Sequence, residues 1–419
     1  MDRNFAEPDE PAAQESPSPL REEMERPAIL YVAVGRRMLS FAISPIDGEL
    51  VPRDDIALPE RVQYAWPHPH LPILYAACAD RSAAGREKPF QICVLARGRD
   101  GGLSLAAEPA ELSARPIHLC TDPAGTHLLT AFGGNPGIMV HRLLPDGTLG
   151  AEKPQAAGFR FGVKPHQVRV LPSGGTAVLV ERGAKGFGTP DYRAGSLNVF
   201  RFDGDVLENA GTVSPGLELA PRGFNPRHLD FHPELSLAYV ALEEQNELAV
   251  FRLRGDGFDP VPLASPTTLQ NPMQQQPRQD CGTVHMHPKG GIVYTANRND
   301  GYIGGHAGPS WIVPDPVPVF PGGENSISVF RLRSDGLPEL VQTADSHGLH
   351  PRCFALTPDG ESLVAGNLAP TIFEEQGQRR AVPANLAVFR VGSDGTLTFR
   401  RRHDIDTGRE MIWWMGIAD

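Results

Sequence analysis

Seven copies of an Asp-Gly dipeptide each follow a short apolar segment with strand-like alternation, at residues 47, 100, 146, 203, 256, 335 and 394. Asp-Gly suits tight hairpins, because Gly accepts a positive φ and Asp tolerates one. Apart from one longer interval, successive copies are 46 to 59 residues apart. Repeats of this length with several short strands per unit are typical of a β-propeller.

A second repeat runs in phase with the first. Prolines stand between two strand candidates at residues 69, 123, 172, 233, 288 and 358, which is one copy fewer than the Asp-Gly turns. The missing strand for the first unit is predicted to be the C-terminal apolar segment 411–417. The last strand would then close the ring within the first blade and remove exposed sheet edges. The sequence therefore predicts an all-β, seven-bladed propeller of four-stranded antiparallel blades.

Composition sets the domain limits and excludes some function classes. Residues 1–27 are acidic, contain little apolar periodicity and are predicted to be a disordered tail, whereas residues 28–419 form the propeller domain. A net charge of −11 argues against nucleic-acid binding, which needs a basic surface. No apolar run is long enough to span a membrane, and no signal-peptide core follows Met1. Five dispersed cysteines indicate reduced thiols and a cytoplasmic location.

Two blades carry insertions, at residues 183–195 in the fourth and 299–325 in the sixth. Long loops on a rigid scaffold often determine specificity or act as lids. The alternative is a surface insertion that covers a neighbouring subunit, and the sequence leaves both open.

The residues at equivalent strand ends differ in chemical type from one repeat to the next. Six residues before each repeat proline stand Gln63, Ile117, His166, Arg227, Gly282 and Arg352. Ten residues after it stand Ala79, Gly133, Arg182, Glu243, Arg298 and Leu368. Charged and titratable residues are concentrated in blades four to seven. Because inner strands of a propeller line its central channel, we expect these side chains to meet on one side of the channel mouth.

Four of these residues suggest acid–base and anion-binding chemistry. His166 can exchange a proton near neutral pH, and Glu243 can orient that imidazole or serve as a second acid–base group. Arg227 and Arg298 supply positive charge for a carboxylate, a phosphate or an oxyanion. The alternative for each residue is a structural ion pair that ties neighbouring blades together.

Several motifs at blade spacing resemble the seven-bladed lactonase family, which includes bacterial propeller-type 6-phosphogluconolactonases and fungal carboxy-cis,cis-muconate cyclases. The motifs are Lys164-Pro165-His166, Asn225-Pro226-Arg227-His228, Tyr239-Val240-Ala241-Leu242-Glu243, Val284-His285 and Tyr294-Thr295-Ala296-Asn297-Arg298, and the resemblance covers about residues 28–417. It implies that His166, Arg227, Glu243 and Arg298 are catalytic and that His285 lies close to the site. Substrate contacts are expected from His285, Arg352, Arg182, His228 and Asn297. The chain departs from the family pattern at Glu181-Arg182-Gly183, where Asp-Leu-Gly is common, and at Leu242, where Asn is usual.

Several further histidines and tryptophans are candidate functional residues. His68, His232 and His287 each precede a repeat proline, which favours a scaffold role over metal binding. His347 and His350 are candidates for the same channel mouth. Trp413 and Trp414 are expected to pack within the closing strand rather than to contact a ligand.

The resemblance and the strand-end residues together predict an enzyme that hydrolyses a sugar-acid lactone such as 6-phosphogluconolactone, or a related carboxylated lactone. Two alternatives remain open: a cycloisomerase of the carboxymuconate-lactonising type, and a non-catalytic propeller that binds a ligand. The expected partner is a small anionic lactone or carboxylate. No metal or other cofactor is expected.

Overall fold

The structure is a computed structural model that describes residues 27–80, 90–133, 135, 137–156, 161–255, 257–299, 312–320, 322–375 and 377–418. Within these residues the strands form seven antiparallel sheets of four or five strands and one two-stranded hairpin, and the first strands of neighbouring large sheets contact one another in ring order. Each of the seven larger sheets is a blade, so the predicted seven-bladed β-propeller is confirmed. Almost all of the predicted N-terminal tail lies outside the described residues.

Each blade runs from an inner strand at the channel to an outer strand at the rim. Blade 1 consists of Ile412–Ala418, Ile29–Val34, Arg37–Ile43 and Leu50–Ala57. Blade 2 consists of Val62–Pro67, Ile73–Cys78, Phe90–Arg97 and Leu103–Leu105, with Ala110–Leu112 also paired to the third strand. Blade 3 consists of Pro116–Thr121, His127–Phe132, Ile138–Leu143 and Leu149–Lys153. Blade 4 consists of Pro165–Val170, Thr176–Glu181, Ser196–Phe202 and Leu207–Val213.

The remaining blades have the same order of strands. Blade 5 consists of Pro226–Phe231, Leu237–Leu242, Glu247–Arg254 and Gly257–Phe258. Blade 6 consists of Gln279–Met286, Ile292–Asn299, Ser326–Leu332 and Pro338–Asp345. Blade 7 consists of Leu349–Leu356, Ser362–Ala369, Asn385–Val391 and Leu397–Asp404, and a separate hairpin joins Thr371–Glu375 to Gln378–Val382. A short 3-10 helix spans Pro272–Gln274.

The closing contact lies in blade 1, as predicted. The C-terminal strand Ile412–Ala418 pairs antiparallel with Ile29–Val34, with Leu30 opposite Ile417 and Val32 opposite Met415. The first and last strands of the propeller are therefore held in one sheet, which leaves no open edge in the ring.

Second strands are buried along almost their whole length, because both of their faces are covered by neighbouring blades. In Leu237–Leu242 every residue is buried. Side chains alternate between the two faces of a strand, so Ala238, Val240 and Leu242 join a cluster with blade 4. The intervening side chains pack with blade 6. Burial of each large aliphatic side chain contributes roughly 1.5–3 kcal/mol, so the interfaces between blades form the core.

The Asp-Gly turns also connect neighbouring blades. Gly336 and Gly395 have φ angles of 79° and 83°, values that favour glycine. The hydroxyl of Tyr239 in blade 5 donates to the carbonyl of Gly336 in blade 6 at 2.8 Å. Tyr294 in blade 6 donates in the same way to Gly395 in blade 7 at 2.9 Å. These two turns therefore anchor blades 6 and 7 to the blades that precede them, as well as reversing the chain.

Histidines before the repeat prolines belong to the scaffold, as predicted. Nδ1 of His68 accepts hydrogen bonds from the backbone N–H groups of His70 and Leu71, each at 3.0 Å. Its Nε2 lies 3.0 Å from the carbonyl oxygen of Gly125 in the next blade. His232 and His287 also use Nδ1 to accept from the turn backbone.

Both insertions pack against their own chain where they are described. In 183–195, the Glu244 carboxylate accepts from the backbone N–H of Gly186 at 2.8 Å, and the Tyr192 hydroxyl accepts from that of Phe224 at 2.7 Å. In the second insertion, Val319 forms a parallel bridge with Ile372 of the separate hairpin. Residues 300–311 and 321 of that insertion lie outside the described residues.

All five cysteines are buried and free. Among the described residues, no helix combines the length and apolar character needed to cross a bilayer.

Candidate active site

Two adjoining cavities occupy the channel mouth at the start of the inner strands. The inner chamber, about 490 Å³, is lined by inner-strand residues that include Tyr64, His166, Arg227, His228, Thr283 and His285. The outer chamber, about 850 Å³, is lined largely by residues 275–280 and by Lys185 and Glu244. Both chambers share Arg182, Glu243, Arg298, Arg352 and Trp413.

Glu243 lies at the centre of the site and is only 1% exposed. It follows the strand Leu237–Leu242, and its backbone is fixed on both sides: its N–H donates to the carbonyl of Asn225 at 2.8 Å, and its carbonyl accepts from Cys281 at 2.9 Å. The carboxylate is therefore held between the inner strands of blades 5 and 6.

Four cations surround this carboxylate. Arg298 donates to Oε1, and Nε of Arg227 lies 3.3 Å from the same oxygen. Arg182 and Lys185 approach Oε2 at 3.2 and 3.5 Å. Burial would raise the pKa of Glu243, but Lys185, Arg182, Arg298 and Arg227 together hold that pKa well below its usual value. Glu243 is thus ionised at neutral pH and serves as the common counter-ion of the cluster.

The cluster contains more positive charges than the single carboxylate of Glu243 can neutralise. Arg227 is 2% exposed, it occupies a β-bulge between Pro226 and His228, and its Nη1 has no hydrogen-bond partner among the described residues. Burial and the charge of Arg298 lower the pKa of Arg352 to about 9. A buried donor without a partner is costly, so an anion with acceptor oxygens would be favoured here.

Gly282 lies beside one of these arginines. A Cβ at this position would lie 3.4 Å from Nε of Arg298, an ordinary van der Waals distance. The Arg298 side chain therefore passes close to the inner strand of its own blade on its way to Glu243.

Histidine rings form an uncharged part of the wall of the inner chamber. The ring of His228 lies 5.1 Å from that of His166 and 6.0 Å from that of His118. Burial, followed by the charge of Arg227, lowers the pKa of both His166 and His228 well below the usual value. Nδ1 of His166 is buried without a hydrogen-bond partner in the described part of the chain. These rings are neutral at pH 7 and lie beside the cations.

Eight of the nine site residues predicted from sequence line the two chambers: His166, Glu243, Arg227, Arg298, His285, Arg352, Arg182 and His228. One predicted relationship is wrong. The ion pairs of Glu243 are all with cations, and it does not orient His166.

Asn297 is the ninth, and its predicted substrate contact is wrong. Its side chain is fully buried and donates to the carbonyl of Thr268 at 2.8 Å and to the hydroxyl of Ser328 at 2.8 Å. Neighbouring side chains on a strand point in opposite directions. Because Arg298 turns towards the mouth, Asn297 turns away from it and holds a loop.

His347 and His350 were both predicted at the channel mouth, but only His350 lies there. His350 lines the outer chamber, and its Nε2 lies 3.4 Å from Nη1 of Arg298. His347 instead stacks on Phe399, with ring centroids 3.7 Å apart, on the outer strand of blade 7. The prediction for His347 is therefore wrong.

Three residues at the mouth were not predicted as site residues. Lys185 lies 2.5 Å from the carboxylate of Asp280, and both line the outer chamber. Trp413 lines both chambers, and the guanidinium of Arg352 stacks 3.9 Å from its ring centroid. The prediction that Trp413 serves only closing-strand packing is thus corrected, and Trp414, although it packs in a core cluster, also lines the inner chamber.

No cluster of three or more His, Cys, Asp or Glu residues suited to a metal ion is found in the described ranges. The site instead combines a buried cluster of cations, one shared carboxylate and neutral imidazoles. Such an arrangement can bind an anion and stabilise negative charge that develops on an oxygen atom.

Comparison with known proteins identifies the family of this chain and chains that share its fold. Residues 31–370 match the family model described as Lactonase, 7-bladed beta-propeller. A 6-phosphogluconolactonase from Bacillus subtilis is 26% identical over 292 residues, covering 65% of this chain and 70% of that protein. A 6-phosphogluconolactonase from Klebsiella pneumoniae is 22% identical, covering 86% of this chain and 91% of its own length.

Solved structures share the fold at low identity. The periplasmic gluconolactonase of Pseudomonas aeruginosa superimposes with a TM-score of 0.65 at 17% identity, covering 92% of this chain and 98% of that one. A protein from Lactobacillus plantarum gives a TM-score of 0.68 at 16% identity, covering 94% and 99%. The family model spans most of the propeller, from its first strand to the second strand of blade 7. This chain belongs to the seven-bladed β-propeller lactonase family.

Proposed function

We propose that this protein hydrolyses a small anionic lactone, and that its substrate is a sugar-acid lactone of the 6-phosphogluconolactone type. The observation that carries the proposal is the cluster of Arg182, Arg227, Arg298 and Lys185 around the single buried carboxylate of Glu243. The 6-phosphogluconolactonases among its relatives support the same substrate class.

The charge of the two chambers favours an anionic substrate. Among the described residues, eight cationic side chains line them against three anionic ones, in a chain whose net charge is −11. The cations are Arg115, Lys164, Arg182, Lys185, Arg227, Arg278, Arg298 and Arg352, and the anions are Glu243, Glu244 and Asp280. A cleft lined by one sign of charge raises the local concentration of an oppositely charged ligand.

Each chamber would bind a different part of such a substrate. The lactone ring would occupy the inner chamber, where Arg227 and Arg298 can face the carbonyl oxygen that becomes negative when water attacks. A donor placed at such an oxyanion is worth roughly 3–4 kcal/mol of transition-state stabilisation. The phosphate would occupy the outer chamber, where Lys185 from the 183–195 insertion lies beside Arg182 and Glu243.

Glu243 is poorly suited to proton transfer in this reaction. A carboxylate whose pKa lies well below the usual range is a weak base at neutral pH. Its ion pairs instead hold the arginines in place, so we assign Glu243 to positioning. His166 remains available as a hydrogen-bonding group, because Nδ1 has no partner in the described structure.

The compartment can also be proposed. Five buried free thiols suit a reducing environment, so we infer that the protein works in the cytoplasm.

A substrate panel tests the proposal. Purified protein is incubated with 6-phosphogluconolactone, unphosphorylated gluconolactone, a carboxylated muconolactone and a carboxylated cis,cis-muconate, and products are followed by proton NMR against the rate without protein. We expect ring opening of the phosphorylated lactone well above the spontaneous rate. Ring closure of the muconate without lactone hydrolysis would favour the cycloisomerase, and binding without turnover of any member would favour a ligand-binding propeller.

A further inference from the structure

Three polar residues occupy the same repeat position in consecutive blades. Arg169, Asp230 and His285 each stand three residues before a repeat proline, on the inner strands of blades 4, 5 and 6. Nη2 of Arg169 lies 3.1 Å from Oδ1 of Asp230, and Nδ1 of His285 lies 3.8 Å from Oδ2. Side chains of opposite charge therefore form a line across three blades and end at an imidazole.

The carboxylate of Asp230 is held firmly in the middle of this line. Besides Arg169, it accepts hydrogen bonds from the backbone N–H of Met286 at 2.9 Å and from that of Phe231 at 3.0 Å. Burial would raise the pKa of Asp230, but Arg169 and His285 hold that pKa far below its usual value. Asp230 thus presents a fixed negative charge to the imidazole.

His285 connects this carboxylate to the inner chamber. Its side chain is 33% exposed, it lines the chamber, and its ring packs edge-on against Phe354 at 5.0 Å. Nε2 makes no hydrogen bond to any described residue. By contrast, the described surroundings of His166 contain arginines and His118 but no carboxylate partner. His285 is therefore the chamber histidine that has a carboxylate behind its ring, an arrangement that suits a general base.

The other charged and titratable groups around His285 come from several elements. Asp230 and His228 face it from blade 5, with Arg169 of blade 4 behind Asp230. Arg227, Arg298 and Arg352 line the same chamber.

We propose that His285, positioned by Asp230, takes the proton from the water that attacks the lactone carbonyl; this proposal rests on the lactone hydrolysis proposed above. The water oxygen bonds to the carbonyl carbon while its proton passes to Nε2, and the carbonyl oxygen becomes the oxyanion that the arginines stabilise. When the ring C–O bond breaks, the ring oxygen takes that proton back from His285. The product is the ring-opened hydroxy acid, which loses its carboxyl proton to solvent.

Paired substitutions test the two roles. We expect His285→Gln to lower kcat for 6-phosphogluconolactone about 10²–10⁴-fold, the range of general base catalysis. We expect Asp230→Asn to lower kcat about 10-fold or more with KM within about 2-fold, because Nδ1 of the imidazole loses the carboxylate that positions the ring. Asp230→Glu should restore part of the activity. His70→Gln, at an exposed turn, is the control.

The outcomes separate the two proposals. Thermal melting of each variant is measured beside kcat, so that a loss of folded protein is not counted as a loss of catalysis. If wild type turns over and folded His285→Gln retains the wild-type kcat, the role of His285 is overturned while lactone hydrolysis stands. If wild type opens none of the lactones, lactone hydrolysis fails and the role of His285 fails with it.

Discussion

Arg298 of blade 6 and Glu243 of blade 5 form a buried ion pair, and both occupy the residue ten positions after their repeat proline. Equivalent positions in adjacent blades therefore carry opposite charges. The pair lies where the inner and outer chambers meet. The residue ten positions after the repeat proline has the same structural place in each blade, but its charge differs from one blade to the next. This difference puts an ion pair at the centre of the site.

Replacing Glu243 by Gln should destabilise the fold as well as the site. Four cations would lose their common counter-ion in a buried place, and loss of one partner from such a group typically costs about 3–5 kcal/mol. We expect a comparable loss in the free energy of unfolding from urea titration, together with a large loss of turnover. Glu234→Gln, at an exposed turn, is the control. Unchanged stability of Glu243→Gln would show that Glu243 does not neutralise the cluster.

Lys185 should contribute to recognition of a phosphate group. Its Nζ lies 3.5 Å from Glu243 and 2.5 Å from Asp280 at the outer chamber. A hydrogen bond to a charged group contributes about 1.5–3 kcal/mol, so Lys185→Gln should raise KM for the phosphorylated lactone roughly 10-fold or more. KM for the unphosphorylated lactone should rise much less, and Lys289→Gln, on an exposed turn, serves as the control. An equal effect on both lactones would argue against a phosphate in the outer chamber.

The buried histidines make stability depend on pH. Burial lowers the pKa of His118, His166, His228 and His350 well below the usual value. Below about pH 6.5 the unfolded chain binds protons that the folded chain does not, so the free energy of unfolding falls as pH falls. Each histidine contributes up to about 1.4 kcal/mol per pH unit.

Urea titrations between pH 7.5 and 5.5 measure this slope. His118→Gln should make the dependence shallower, because His118 is fully buried among Tyr64, Trp66 and His228. Equal slopes in wild type and His118→Gln would contradict the assignment of His118 as a buried neutral ring.

The tyrosine contacts predict a measurable contribution to stability from the turn repeat. Tyr239→Phe removes the hydrogen bond to the carbonyl of Gly336 and leaves that acceptor without its partner at the blade interface. Loss of one such bond typically costs about 0.5–1.5 kcal/mol. Thermal and urea unfolding should show this loss without a change in turnover, because the contact is distant from the chambers. A stability equal to that of wild type would mean that the turn does not tie the blades together.

The sequence predicted the fold well because the determinants of the blades are local. Asp-Gly turns recur in seven units and the prolines in six, so their spacing gives the number of blades and the missing proline points to the closing strand. The same spacing placed Arg227, Glu243 and Arg298 together, because equivalent strand ends meet at one mouth. The site was thus predictable wherever it uses repeat positions.

Features outside the repeat could not be predicted in this way. Lys185 comes from an insertion, and its position depends on anchors such as the bond from Gly186 to Glu244. Trp413 reaches both chambers because the closing strand brings the C-terminus to the channel. Asn297 and His347 were misplaced because spacing does not show which side of a strand, or which end of a loop, a side chain occupies.

The most direct test of the arginine cluster compares the turnover of 6-phosphogluconolactone by wild type and by Arg298→Ala. Thermal melting checks that each variant is folded. The matched control is Arg331→Ala, which replaces an exposed arginine on the third strand of the same blade. We predict that wild type opens the lactone well above the spontaneous rate, and that Arg298→Ala lowers kcat/KM about 10²–10³-fold while Arg331→Ala does not. Wild-type kcat/KM in folded Arg298→Ala would contradict the claim that this cluster stabilises the reaction.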